Sequence, residues 1–422
     1  MSGERPSERW GDAVSDESRN QSSALLERAA GTRRRIGVGL IGFGWLGRAH
    51  SRSLRRIPTL FGEREFDVEL VICADEVPAR AQEAVDAFGY SHATGDWRAV
   101  MDDPAVDAVF IAAPNMLHVE LVEAAAAAGK DVFCEKPVGG TPEQTVRAER
   151  AARRAGVITG VGHNFRWAPL VRHAASLIEQ GRLGEITNYR GRFFSMYGSD
   201  PLGLLSWRFL VDEAGHGVTS DLLSHAVDMA HMLIGPITRV VGTTETFIRE
   251  RPLPAPGEGT HYGRGREDDP RGAVTNEDYA GMLCEFATGA RGTFEASRTM
   301  VGPESQMAFD VYGTEGALGW NFERMNELQL YLAGEGLESG YTRVLAGERF
   351  PYHGSFVPGS ANGIGYEDLV TIEDYEFCRA LAERRPFRPG FEEALRWVSV
   401  QAALLRSAES GQWEDVVSLR ED

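Results

Sequence analysis

Two short patterns in this sequence place chemically capable residues at functional spacings. The first is Gly42-Phe43-Gly44-Trp45-Leu46-Gly47. Glycines so spaced allow a tight turn at Gly42, let a phosphate approach the backbone at Gly44, and let a helix pack closely at Gly47. The free amides and positive dipole end of that helix suit a pyrophosphate, so Phe43, Trp45 and Leu46 are expected at the cofactor as well. The second is Asp221-Leu222-Leu223-Ser224-His225, whose spacing puts carboxylate and imidazole on one face of a helix. Two more clusters, Ala113-Pro114-Asn115 with His118 and Glu135-Lys136-Pro137, each follow an apolar run directly.

The elements around these residues support that reading. Runs at 36–41, 68–74, 108–112, 132–134 and 157–161 are apolar and partly β-branched, as expected of strands covered on both faces. Helical stretches separate them, the Ala-rich 117–128 being the clearest, and such alternation predicts a parallel, doubly wound sheet. Pro114, Asn115, His118, Glu135 and Lys136 are then expected at the cofactor, at or just past the carboxyl ends of strands, where open α/β sheets bind ligands. Asp75 ends the second strand. Its carboxylate suits two ribose hydroxyls and repels a 2′-phosphate, which favours NAD over NADP. The spacing from the glycines exceeds the usual ~20 residues, and a loop at 58–67 accounts for the excess. Arg80 nearby is the residue that would instead hold a 2′-phosphate.

Beyond residue 162 the rhythm changes. Stretches 187–197, 239–246, 281–286, 291–298, 306–312 and 328–331 read as strands with few helices between them, predicting a largely antiparallel sheet. Helices are expected at 170–180 and 221–233, a lid or surface excursion at 252–272, and helix from 367 to 411. The resulting division is a tail at 1–35, a dinucleotide-binding domain at 36–162, an α+β substrate and oligomerisation domain at 163–390, and a helical segment at 391–422.

The chain has 422 residues and a formal net charge of −18, which disfavours nucleic acid as a partner. No apolar run is long enough for a bilayer. The four cysteines have no metal-ligand spacing, so no metal is expected. Arg33, Arg34 and Arg35 lead into a strand rather than a secretion signal, and the cytoplasm is the expected compartment.

In these motifs the chain resembles the Gfo/Idh/MocA oxidoreductases, from about residue 36 onward. The shared elements are GFGWLG, APNMLH, EKP, His163-Asn164-Phe165-Arg166-Trp167-Ala168-Pro169, Ser206-Trp207-Arg208, GHGVTSDLLSHAVD and Val311-Tyr312-Gly313-Thr314-Glu315-Gly316. The resemblance implies a Rossmann domain followed by an α+β domain with an open sheet that forms dimers or tetramers. It implies a cofactor role for Gly42, Gly44, Gly47, Asp75, Pro114, Asn115 and Glu135, with Trp207 and Arg208 beside the nicotinamide and a cis Lys136-Pro137 bond. Lys136, Asp221 and His225 match the Lys–Asp–His set of inositol dehydrogenases, implying hydride transfer between NAD and a sugar, cyclitol or polyol hydroxyl carbon. His225, with a reference pKa of about 6.5, suits the base; Lys136 suits a developing alkoxide; Asp221 suits orientation of substrate or imidazole.

Some positions depart from the family pattern. Gly215-His216-Gly217 stands where three glycines are common, and Leu223 replaces a frequent glycine near the site. His163-Asn164-Phe165-Arg166-Trp167 carries aromatic residues where charge is usual, so Phe165 and Trp167 are expected either to stack on a sugar or to pack in the core, beside Asn164 and Arg166 at the substrate. Asp228 is expected to be structural. The alternatives to a dehydrogenase are a keto-sugar reductase or redox-cycling enzyme with tightly bound cofactor, and a non-catalytic sugar sensor; the retained Lys136, Asp221 and His225 favour an enzyme.

Overall fold

A strand with six consecutive buried residues must lie inside a sheet covered on both faces. β1 (Arg34–Ile41) is such a segment. In the computed structural model, which describes residues 33–255, 263–334 and 339–420, β1 is flanked by parallel strands on both sides. The remaining strands are β2 (Phe66–Ala74), β3 (His92–Thr94), β4 (Ala108–Ile111), β5 (Asp131–Cys134) and β6 (Thr159–Val161). Their order is β3-β2-β1-β4-β5-β6, all parallel, so the sheet is doubly wound. Its topological switch lies between β1 and β4, where ligands of such sheets bind. The sequence reading missed the short β3. Residues 1–32 of the expected tail and 256–262 of the expected excursion lie outside the described residues.

The long helices are α1 (Trp45–Leu60), α2 (Pro78–Phe88), α3 (Asn115–Ala127), α4 (Pro142–Ala155), α5 (Pro169–Glu179), α6 (Leu223–Leu233), α7 (Tyr366–Glu383) and α8 (Phe391–Ser410); one-turn helices are left unlabelled. The helix expected at 221–233 is interrupted. Val218–Asp221 forms one turn, Leu222 adopts φ −106° and ψ −49°, and α6 begins at Leu223. Asp221 and His225 therefore sit on two consecutive helical pieces. The helical stretch expected at 367–411 is likewise two helices, α7 and α8, which pack back on α1 and α4 respectively.

Among the described residues the second sheet has nine strands: β7 (Ile186–Ser195), β8 (Ile237–Glu245), then, beyond a two-stranded ribbon of β9 (Glu250–Pro252) and β10 (Arg271–Ala273), β11 (Tyr279–Phe286), β12 (Arg291–Ser297), β13 (Ser305–Gly313), β14 (Gly316–Asn321), β15 (Glu327–Leu332), β16 (Thr342–Leu345) and β17 (Glu414–Asp415). The order is β16-β15-β14-β13-β7-β12-β11-β8-β17. Every pair is antiparallel except β7–β12, so the sheet is mixed. Helix α6 packs on β7, β12 and β13 and carries His225 against that sheet. One apolar cluster, from Val38 and Phe110 to Phe309 and Trp397, runs through both sheets. Among the described residues no helix is long and apolar enough to cross a membrane.

Candidate active site

The three glycines after β1 answer to three different steric demands. Gly42 has φ +92°, and a Cβ there would lie 2.7 Å from the Ala112 carbonyl carbon. A Cβ on Gly47 would lie 2.0 Å from the Gly42 carbonyl oxygen, so only glycine lets α1 pack this close. At Gly44 an added Cβ meets nothing within 4 Å. That open space lies at the start of α1, which has no side-chain cap and no acidic residue in its first turn. Uncapped amides facing an open cradle fit a pyrophosphate.

Asp75 closes the far side of this loop. Its Oδ2 accepts from the Phe43 amide at 2.7 Å and its Oδ1 from the Val77 amide at 2.9 Å. Each oxygen keeps a lone pair for a ribose hydroxyl. The Phe43 side chain is fully buried against Phe88 and Tyr90, so its contribution at the loop is its backbone alone. Leu46 is half-buried, Arg80 is exposed, and Trp45, 61% exposed, stacks on Tyr366 with centroids 5.4 Å apart.

Pro114 caps α3, and Asn115 lines the cleft beyond it. His118 departs from the expected cofactor role. Its Nδ1 lies 2.7 Å from the Pro137 carbonyl and its Nε2 2.8 Å from the Ala113 carbonyl, so the buried ring braces two loops. Glu135 reaches inward to His50 Nε2 at 3.0 Å, and His50 Nδ1 lies 2.9 Å from Asp374. Burial pushes the His50 pKa down, but Asp374 and Glu135 outweigh it and hold the ring protonated well above its usual range. This buried trio, tying β5 to α1 and α7, was invisible in sequence because its members lie up to 324 residues apart.

Lys136, on the other side of β5, enters the cleft through a cis Lys136-Pro137 bond. Its Nζ donates to Asp221 Oδ1 at 2.6 Å and to the Asp221 carbonyl at 2.9 Å. Tyr197, which sequence reasoning did not single out, donates its hydroxyl to Asp221 Oδ2 at 2.8 Å. Arg208 lies over the Trp207 ring with its Nη1 3.9 Å from Asp221 Oδ1. Desolvation would raise the Asp221 pKa; the charges of Lys136 and Arg208 and the bonds from Lys136 and Tyr197 outweigh it and hold the carboxyl ionised, well below the usual range.

His225 is buried beside this group, with Phe165 and Phe193 around it. Its Nδ1 lies 3.3 Å from Nδ1 of His163. Burial, Lys136 and His163 all lower the His225 pKa, so the ring is neutral through the physiological range. A buried neutral imidazole within a site that also holds a cation can accept a proton from a hydroxyl.

In the turn His163–Trp167 the two aromatic rings take the core alternative. Arg166 is buried and makes a two-pronged pair with Asp228 at 2.6 and 2.9 Å, which accounts for both residues structurally. Trp167 stacks on Phe387, and Phe165 packs among Phe193, Phe322 and His225, so both rings belong to the core. Asn164 is buried and bonds Tyr366. Leu223 is buried, whereas His216 lines the cleft with Asn115, Tyr197, Trp207, Arg208, Gly217, Asp221 and Arg298. Tyr197 and Arg298 are the lining residues the sequence did not announce. A larger hollow, about 670 Å³, lies on the second sheet between β7, β8, β11 and β12, away from these side chains.

Comparison with known proteins agrees with this geometry. Residues 36–163 match an oxidoreductase family with an NAD-binding Rossmann fold, and residues 171–319 match the GFO/IDH/MocA C-terminal domain. Levoglucosan dehydrogenase of Pseudarthrobacter phenanthrenivorans is 36% identical over 383 residues, covering 90% of this chain and 98% of that protein. A solved structure of levoglucosan dehydrogenase in complex with NADH superposes with a TM-score of 0.86 at 35% identity, over 92% of this chain and 100% of that one. Inositol 2-dehydrogenase of Rhizobium meliloti is 24% identical, covering 88% of this chain and 96% of that protein.

Proposed function

The chain belongs to the Gfo/Idh/MocA oxidoreductases, an NAD-binding family of sugar and cyclitol dehydrogenases, and from that premise we propose that it oxidises a secondary hydroxyl of an anhydro-sugar of the levoglucosan type. The observation that carries the substrate class is the similarity to levoglucosan dehydrogenase along 98% of that protein's length. Most of the positive charge in the cleft is offset by carboxylates, which suits a substrate of low charge. Lys136 is paired with Asp221, Arg298 with Asp278 at 2.7 Å, and Arg208 faces Asp221. Lys136 and Arg208 share the one carboxylate of Asp221, so three cations meet two carboxylates and the lining carries a single excess positive charge.

In this reading the amides opening α1 hold the pyrophosphate, Asp75 holds the adenosine ribose, and Trp207 and Arg208 flank the nicotinamide side of the cleft. NAD, when bound, supplies the hydride acceptor. The substrate hydroxyl is placed between Lys136 and His225. A lysine ammonium has three donors; two are used on Asp221, and the third stabilises the oxygen as its proton leaves. His225 takes that proton at Nε2. Asp221 orients Lys136 and Tyr197 rather than the imidazole.

The direct test is NADH formation from NAD with levoglucosan, myo-inositol and D-glucose. A kcat/KM for levoglucosan at least about tenfold above the others is expected. Preference for a cyclitol would refute the substrate class and leave the family intact. We also infer a homo-oligomer joined through the open sheet face, because Leu283 is 51% exposed beside the hollow on β11. Leu283→Glu is expected to lower the mass measured by light scattering; an unchanged mass would exclude that face.

A further inference from the structure

A histidine that takes a proton at one ring nitrogen needs its other N–H held by an acceptor, which fixes both tautomer and orientation. A carboxylate commonly does this. Here the nearby carboxylate is committed elsewhere, since Asp221 Oδ1 receives Lys136 and Oδ2 receives Tyr197. The atom that meets His225 Nδ1 is Nδ1 of His163, at 3.3 Å. The two rings stand at 85° with centroids 5.2 Å apart, an edge-directed contact and not a stack. His163 is 1% exposed, lies two residues past the carboxyl end of β6, and is held in a turn whose neighbours Phe165 and Trp167 are locked in the core.

Two facing Nδ1 atoms cannot both be bare, because their lone pairs repel, and cannot both carry hydrogen. One proton lies between them. If it sits on His225, the Nε2 of His225 is bare and able to take the substrate proton, while His163 carries its own hydrogen on Nε2, a buried atom with no partner among the described residues. If it sits on His163, the remaining hydrogen of neutral His225 occupies Nε2 and blocks that uptake.

We propose that His163 is the positioning residue of the base: its Nδ1 accepts the hydrogen bond from His225 Nδ1–H and so presents the Nε2 lone pair of His225 to the substrate hydroxyl. The inference rests on the reading of His225 as base. A neutral acceptor fixes the tautomer without the added negative charge that would pull a proton onto His225 before substrate arrives. Burial holds the His163 pKa down to about 4, so the acceptor itself stays neutral.

The tautomer can be read without turnover. In the whole protein with NADH bound and histidines labelled with ¹⁵N, His225 is expected to show a protonated Nδ1 and a bare Nε2, and His163 the reverse. A His225 ring protonated on Nε2, or the same tautomer on both rings, would overturn the proposal. In kinetics, His163→Phe is expected to lower kcat roughly tenfold, the worth of one hydrogen bond, with KM and NADH affinity nearly unchanged. His163→Asn, whose amide oxygen takes the place of Nδ1, is expected to recover most of that loss. Equal loss in both variants, or loss accompanied by weaker NADH binding and a lower melting temperature, would show a purely structural role and overturn it. An active His225→Ala enzyme would instead refute the base itself; an inactive one with an unaffected His163→Phe would refute only the positioning.

Discussion

Replacing Lys136 by methionine keeps an unbranched chain of similar length and removes the ammonium. In the parent, Nζ spends two donors on Asp221, at 2.6 and 2.9 Å, and has one left for the substrate. A preorganised donor aimed at developing negative charge contributes roughly 3–4 kcal/mol to the transition state, so kcat is expected to fall by about 10²- to 10³-fold. NAD affinity is expected to hold within about twofold, because the proposed pyrophosphate and ribose contacts, at Gly44, Gly47 and Asp75, lie at the other end of the cofactor. A second effect falls on Asp221. It loses its principal counterion and keeps Tyr197 at 2.8 Å and Arg208 at 3.9 Å, so its pKa rises toward the ordinary range. The pair is partly exposed, at 16% and 23%, so the stability cost is about 1–2 kcal/mol, not the larger value of a sealed pair. The assay is stopped-flow NADH formation at saturating substrate, with cofactor affinity from fluorescence titration and stability from urea unfolding. A kcat within threefold of the parent would refute the role given to Lys136; a parallel loss of NAD affinity would place it at the cofactor instead.

Three other outcomes follow from the geometry. Gly44→Ala is expected to fold normally and weaken NAD binding at least about tenfold, whereas Gly47→Ala, whose Cβ would sit 2.0 Å from the Gly42 carbonyl, is expected to lose roughly 3 kcal/mol or more of stability; equal behaviour of the two in calorimetric binding and thermal melting would contradict the loop reading. Asp228→Ala strands the buried Arg166 guanidinium and is expected to cost about 3–5 kcal/mol in urea unfolding, with a loss under 1 kcal/mol showing that the pair carries little. His163 has a folded pKa of about 4 against about 6.5 unfolded, so between those values the unfolded chain binds a proton the folded one refuses. Stability is thus full above pH 6.5 and falls as pH drops toward 4, by up to about 3 kcal/mol from this residue, and the fall is expected to be shallower in His163→Asn; an identical slope in both proteins would refute it.

What the sequence made legible is what depends on neighbours in the chain. The glycines at 42, 44 and 47 report a turn, an open cradle and a close helix contact, all decided within a few residues of β1. Lys136 could be placed because the carboxyl end of a buried strand is a local feature, and β5 is there as expected. The same rule, applied to Val161, leads to His163 two residues on; the signal was present, but the aromatic residues beside it leave open both sugar stacking and core packing and divert attention from the imidazole. Phe165, Arg166 and Trp167 were assigned by side-chain type, whereas their use depends on Phe193, Asp228 and Phe387, which only the fold brings near. Tyr197 lies past the end of β7, and nothing in its neighbourhood announces that its hydroxyl meets Asp221. The break at Leu222 also escaped, because an apolar residue in a helical pattern gives no sign of the tertiary contacts that interrupt it. The parallel β7–β12 pairing escaped for a similar reason, since alternation reveals a strand but not its neighbour.

The most direct test of the mechanism is kcat for NADH formation by His225→Ala, with NADH affinity measured on the same preparation. Loss of at least about 100-fold in kcat with affinity within twofold is expected if His225 takes the hydroxyl proton. A variant that turns over at the parent rate would contradict the account and move the proton to another group in the cleft.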